Sequence, residues 1–179
     1  MKQPFRLPLR GLICAAAASA LLAACSTPER SRPVAEATLK PTAGSNVSGS
    51  LQIFQVNADT VRVVAQVQGL APGSEHGFHI HEKGDCSAPD GMSAGGHYNP
   101  TGHQHGKAGP AAHVGDLPSL VADSNGVARL NWETRSLSAG TGLPTDVKGR
   151  GVIVHKDKDD FITQPTGNSG ARLACGVIN

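Results

Sequence analysis

Aromatic side chains make up only 3% of the 179 residues, and charged ones 17%. With so few aromatics the chain has no platform on which successive bases could stack, which argues against a single-stranded nucleic-acid binder. Charge supplies no polyanion site either. The formal net charge is +2, and three of the 16 Lys+Arg (Lys2, Arg6, Arg10) fall in the first 24 residues. From Cys25 onward 13 basic residues face 14 acidic ones, a balance that points to no nucleic acid or other highly charged partner. No stretch beyond residue 24 carries an apolar stripe at the 3.6-residue period of a helix. The extended apolar run, from Gly11 to Ala24, is short for a bilayer span, which takes about 20 apolar residues.

That run has another use. Basic residues precede it and it ends Leu22-Ala23-Ala24-Cys25, which reads as an export signal over residues 1–24. Its end resembles the lipobox of bacterial lipoproteins. The resemblance implies cleavage before Cys25 and acylation of that cysteine, so that the chain is tethered to a lipid bilayer in the cell envelope, facing the periplasm. Ser26 after the cysteine points to the outer membrane. Residues 25–45 are rich in Ser, Thr, Pro and Ala and read as the lipid anchor and a flexible linker. The folded domain is expected over residues 46–179.

Of the four cysteines, Cys14 leaves with the signal and Cys25 is the anchor. Cys86 and Cys175 remain, an even pair in an oxidising compartment, where a disulfide is stable. Bonded, they would close a loop of about 90 residues, for which loop entropy predicts about 4–5 kcal/mol.

The 22 Gly and 12 Pro favour short strands joined by long loops. Val61, Val63, Ala65 and Val67 alternate with Arg62, Val64, Gln66 and Gln68 as a half-buried strand. Strands are also expected at Phe78 to His81, Ala128 to Trp132 and, as the last clear one, Val152 to His155; the second long loop leads into Arg172-Leu173-Ala174-Cys175. Two long polar segments, Glu82 to Asp116 and Lys156 to Gly170, are too long to be idle connections. The fold class is all-β, a Greek-key barrel or sandwich with two long functional loops.

Histidine is where the chemistry lies. His79 and His81 are two apart on a predicted strand, so both imidazoles face one side. His97, His105, His113 and Asp116 occupy the first long loop, and His155 ends a strand. Three imidazoles and a carboxylate make a closed zinc shell; the strand histidines offer a second, nitrogen-only site suited to copper. His76 and His103 are expected as exposed loop residues.

The segments Gly77-Phe-His-Ile-His-Glu-Lys-Gly-Asp85, Gly95-Gly-His-Tyr-Asn-Pro100, His113-Val-Gly-Asp-Leu117 and Gly170-Ala-Arg-Leu-Ala-Cys-Gly-Val177 resemble the signatures of copper/zinc superoxide dismutases, bacterial periplasmic branch. The resemblance implies copper at His79, His81, His97 and His155, and zinc at His97, His105, His113 and Asp116, so that His97 bridges the two. It implies that Asp159 links a copper histidine to a zinc histidine. It also implies that Arg172 guides superoxide to its site and that the reaction yields dioxygen and hydrogen peroxide. A metal-carrying lipoprotein would need the same histidines but has no use for Arg172 or Asp159. A copper-only variant would not need His105, His113 and Asp116. Whether the chain forms a homodimer is left open by the sequence.

Overall fold

The computed structural model describes Met1 and residues 32–179. Residues 2–31, with most of the expected signal and Cys25, lie outside the described residues.

Alternating apolar and polar residues build the strands, because successive side chains on a strand point to opposite faces. In β3 (Thr60–Gln68) Val61, Val63, Ala65 and Val67 are buried while the residues between them face outward. Its antiparallel neighbour β2 (Ser48–Asn57) sets Leu51 opposite Ala65 and Ile53 opposite Val63. The remaining strands are β1 (Ala35–Pro41), β4 (Glu75–His76), β5 (Phe78–His81), β6 (Leu120–Val121), β7 (Ala128–Thr134), β8 (Gly151–His155) and β9 (Arg172–Val177). Seven of them form one antiparallel sheet in the order β5-β8-β9-β1-β2-β3-β7, and β4 pairs with β6 in a separate ribbon. The chain leaves β3 near one edge, reaches the opposite edge as β5, comes back to β7 beside β3 and returns again as β8 beside β5. Crossovers of this kind between antiparallel strands are Greek-key connections, and the sheet is curled into a partial barrel around one core. All-β architecture is as expected from the sequence.

One boundary is corrected. The segment read as a linker up to Ser45 contains β1, which pairs with β2 from Ala35↔Ile53 to Leu39↔Gly49 and with β9 at Lys40↔Cys175. Ala35, Ala37 and Leu39 are 3%, 4% and 1% exposed. Their period-two alternation with Glu36, Thr38 and Lys40 is easily missed, because two of the three inward residues are alanines. The stability of this strand comes from its neighbours rather than from its own composition.

The core contains Leu39, Leu51, Ile53, Val63, Phe78, Ile80, Val152 and Val154, and each large aliphatic side chain buried there contributes roughly 1.5–3 kcal/mol. Every residue of β5 and β8 is buried. Phe78 and Ile80 enter the core, so His79 and His81 must point to the other face. The first long loop covers that face. On the outer side of β8 and β9 a small cluster of Ala94, Ile153 and Cys175 packs with Cys86, and the disulfide Cys86–Cys175 closes there with Cα atoms 5.8 Å apart.

Candidate metal centre

The loop that follows β5 folds back along its free edge. Ile80 N–H donates to Gly115 O at 2.8 Å and Tyr98 N–H to Ile80 O at 2.8 Å, while Gly115 N–H donates to Tyr98 O at 2.9 Å. Isolated bridges then set His81 opposite His97 and His79 opposite Asp116. Gly115 allows this approach, since a Cβ there would collide with the Ile80 carbonyl oxygen. Residues distant in sequence are thus brought beside the two strand histidines by backbone pairing, before any side chain is involved.

Among the described residues two four-membered groups of buried side chains result, with His79, His105 and Asp159 as a smaller third. The first is His79, His81, His97 and His155; the second is His97, His105, His113 and Asp116. Within each group one nitrogen or oxygen per residue lies within 4.8 Å of the others. In the second group, Asp116 Oδ1 has His97 Nδ1 at 3.0 Å, His105 Nδ1 at 3.0 Å and His113 Nδ1 at 3.4 Å. In the first, His81 Nε2 and His155 Nε2 are 3.3 Å apart. His97 belongs to both groups, one ring nitrogen turned to each.

The opposite nitrogens are tied down. His79 Nε2–H donates to Asp159 Oδ2 at 2.7 Å and His105 Nε2–H to Asp159 Oδ1 at 2.9 Å. His81 Nδ1–H donates to Gly95 O at 2.9 Å and His155 Nδ1–H to Gly170 O at 3.3 Å. Such partners set the tautomer and tilt of a ring, as they do in metal sites. What is left facing inward is unsatisfied. Among the described residues, four buried side-chain polar atoms lack a hydrogen-bond partner, and three of them are His79 Nδ1, His97 Nε2 and His113 Nδ1. An unpaired buried polar atom costs about 1–3 kcal/mol. Three in one cluster fit cations held there, and imidazoles with one carboxylate are the donor set for copper and zinc.

In the all-imidazole group the electrostatics agree. Burial pushes His79 down to about 4 and His81 down to about 2. Burial also holds His155 well below the ordinary imidazole value, so these rings are neutral with lone pairs free for an ion. Burial acts in the same direction on His105, but hydrogen bonds to Asp116 and Asp159 outweigh it and raise that ring to about 9. Burial opposes ionisation of Asp116 and Asp159, yet the histidines bonded to them outweigh it and both are held well below the usual carboxylate range.

Arg172, on β9, is half-buried. Its Nη1–H donates to Gly91 O at 2.7 Å and its Nη2–H to Gly95 O at 2.6 Å, so two of its five N–H donors are spent on orientation. Gly95 O thereby holds both His81 and Arg172. Among the described residues no carboxylate forms an ion pair with Arg172, which leaves its charge available to a small anion.

His103 is exposed, as expected, but His76 is not. It is 5% exposed; its Nδ1–H donates to His155 O at 2.8 Å and its Nε2 lies 2.6 Å from Ser74 Oγ. The bulge between Val154 and His155 takes the strand out of register there, and His76 supplies the partner for the His155 carbonyl. Nothing in the local sequence of His76 signals this, because its partner is 79 positions away.

A family model for copper/zinc superoxide dismutase matches residues 47–178. A superoxide dismutase [Cu-Zn] of Deinococcus radiodurans is 40% identical over 170 residues, covering 88% of this chain and 89% of that protein. A second, from Aquifex aeolicus, is 35% identical over 136 residues, covering 74% of this chain and 79% of the other. Among solved structures, a superoxide dismutase-like protein from Bacillus subtilis superposes with a TM-score of 0.70 at 34% identity, covering 79% of this chain and 95% of that one. The structure of the clock protein EA4 superposes with a TM-score of 0.72 at 35% identity, covering 83% and 96%. With this similarity across the whole folded domain, the chain belongs to the copper/zinc superoxide dismutase family.

Proposed function

We propose that His79, His81, His97 and His155 hold copper and that His97, His105, His113 and Asp116 hold zinc. The reaction, dismutation of superoxide to dioxygen and hydrogen peroxide with copper and zinc as cofactors, follows from the family. The observation that carries the residue assignment is the buried, unpaired Nε2 of His97 on one side of a ring whose Nδ1 faces Asp116 on the other. Copper supplies one-electron redox chemistry when bound, and zinc a fixed charge with no redox change of its own. The protein's part is positional. Asp159 holds His79 and His105 in one hydrogen-bonded chain, so the two ligand sets cannot tilt independently. His97 Nε2 is the atom placed to hold a proton for the forming peroxide. Arg172 attracts the anion and orients it beside His81 and His155.

Replacing Arg172 with alanine is expected to lower turnover roughly tenfold at low salt and to flatten its decline with ionic strength, since steering by one charge is screened within about 10 Å at 0.1 M salt. Both metals should stay bound. Rates measured across a salt series check this, and an unchanged low-salt rate refutes the role.

Cys25 carries the lipid, and the domain works in the cell envelope, facing the periplasm from the outer membrane. The support is the Leu22-Ala23-Ala24-Cys25-Ser26 segment and the Cys86–Cys175 disulfide, a bond suited to an oxidising compartment. Cys25→Ser is expected to abolish labelling with radioactive palmitate and release the protein from membranes, and labelling that persists refutes the anchor.

A further inference from the structure

The second long loop does more than supply Asp159. Its turn from Asp160 to Gly167 closes through Gly167 N–H to Thr163 O at 2.7 Å and Asp160 N–H to Gly167 O at 2.9 Å. The Gln164 amide pairs with the main chain of His105 at two points: Oε1 accepts from His105 N–H at 2.8 Å and Nε2–H donates to His105 O at 3.0 Å. Gly167 is buried and lies directly over the contact between Asp159 and His105. A Cβ there would collide with Asp159 Oδ1 and His105 Nε2, and would come within 2.7 Å of Asp159 Cγ. These are the very atoms of the 2.9 Å hydrogen bond between the two residues. The backbone of Gly167 is in the left-handed region (φ +63), but so is that of Gly140 (φ +71), where an added Cβ would meet nothing within 4 Å.

We infer that Gly167 is a positioning residue for the zinc site: its missing side chain makes the space in which Asp159 grips His105. The inference rests on the assignment of His105 to zinc. Any larger residue at 167 must push the Asp159 carboxylate out of line and release the His105 ring from one of its two carboxylate partners.

Cobalt(II) is a suitable probe, because its visible absorption reports a tetrahedral nitrogen–oxygen site without any assay of turnover. Gly167→Ala is expected to weaken cobalt binding to the metal-free protein about tenfold or more, the range seen when an outer partner of a metal ligand is lost, and to alter the cobalt spectrum. Gly140→Ala, which meets the same backbone strain without the collision, should bind within about twofold of the wild type. In an Asp159→Ala background, with most of the collision gone, the Gly167→Ala effect should shrink to about threefold or less. If Gly167→Ala alone fails to fold, the double variant should recover folding for the same reason. Wild-type cobalt affinity in Gly167→Ala, an equal loss in Gly140→Ala, or an undiminished or unrescued effect in the Asp159→Ala background would each overturn the inference. A wild-type protein that gave no tetrahedral cobalt spectrum would overturn the zinc assignment itself, a result distinguishable from the others because it precedes any substitution.

Discussion

Replacing His155 with alanine is expected to weaken copper binding at least about 100-fold and dismutation with it, while zinc stays bound at one equivalent. Losing an outer partner of a metal ligand already costs about 10–100-fold, and losing the ligand itself should cost more. The reason for selectivity lies in where each donor comes from. His155 ends β8 and places Nε2 3.3 Å from His81 Nε2, inside the all-imidazole group. The other group draws His97, His105, His113 and Asp116 from the long loop after β5, and none of these touches His155 by a hydrogen bond. The truncation removes one hydrogen bond, from His155 Nδ1 to Gly170 O, while the backbone of residue 155 still accepts from His76 and donates to Gly77 O. Metal analysis after dialysis against a mild chelator, run beside a superoxide assay, decides the matter. Equal loss of both metals would mean that the two groups are one site.

Removing the disulfide should have the largest effect on stability. Cys86 and Cys175 are 89 residues apart, and the loop-entropy relation assigns such a crosslink about 4–5 kcal/mol. For a domain of this size that is a fall in Tm of about 10–20 °C, measurable by calorimetry on the metal-free Cys86→Ser/Cys175→Ser protein. The consequence reaches the anion site. Between Cys86 and the Gly91 and Gly95 carbonyls that hold Arg172 lies only a short segment, tied to the start of the domain by Ala43 N–H to Pro89 O at 2.7 Å. Arg172 itself lies just before Cys175 on β9. The crosslink therefore joins the two strands of chain that orient the guanidinium, and its loss should raise the KM for superoxide as well as lower the Tm. A fall of less than about 3 °C would place the stabilisation elsewhere.

How much of this was legible beforehand varies with the range of the interaction. The period-two alternation of β3 and the His79–His81 spacing are local patterns, and each is a direct consequence of the pleat. The pairing of Cys86 with Cys175 was legible for another reason: on the lipoprotein-signal reading they are the two of the four cysteines left to pair. β1 has no comparable signal, because Ala35 and Ala37 sit opposite Ile53 and Leu51 of β2, and an alanine carries no sign of what will cover it. The burial of His76 has no local signal, because the carbonyl it bonds, that of His155 on β8, is 79 positions away.

The sequence by itself determined the donor inventory: which imidazoles and carboxylates exist, that one strand presents two of them on one side, and that the rest sit in loops too long to be connections. The tertiary structure decided how those donors are brought together. His97 reaches both groups only because the loop pairs with the free edge of β5 through Gly115 and Tyr98. Asp159 joins His79 to His105 only because Gly167 leaves room. Backbone pairing and close packing act between residues far apart in the chain, and no local pattern encodes the distance at which they meet.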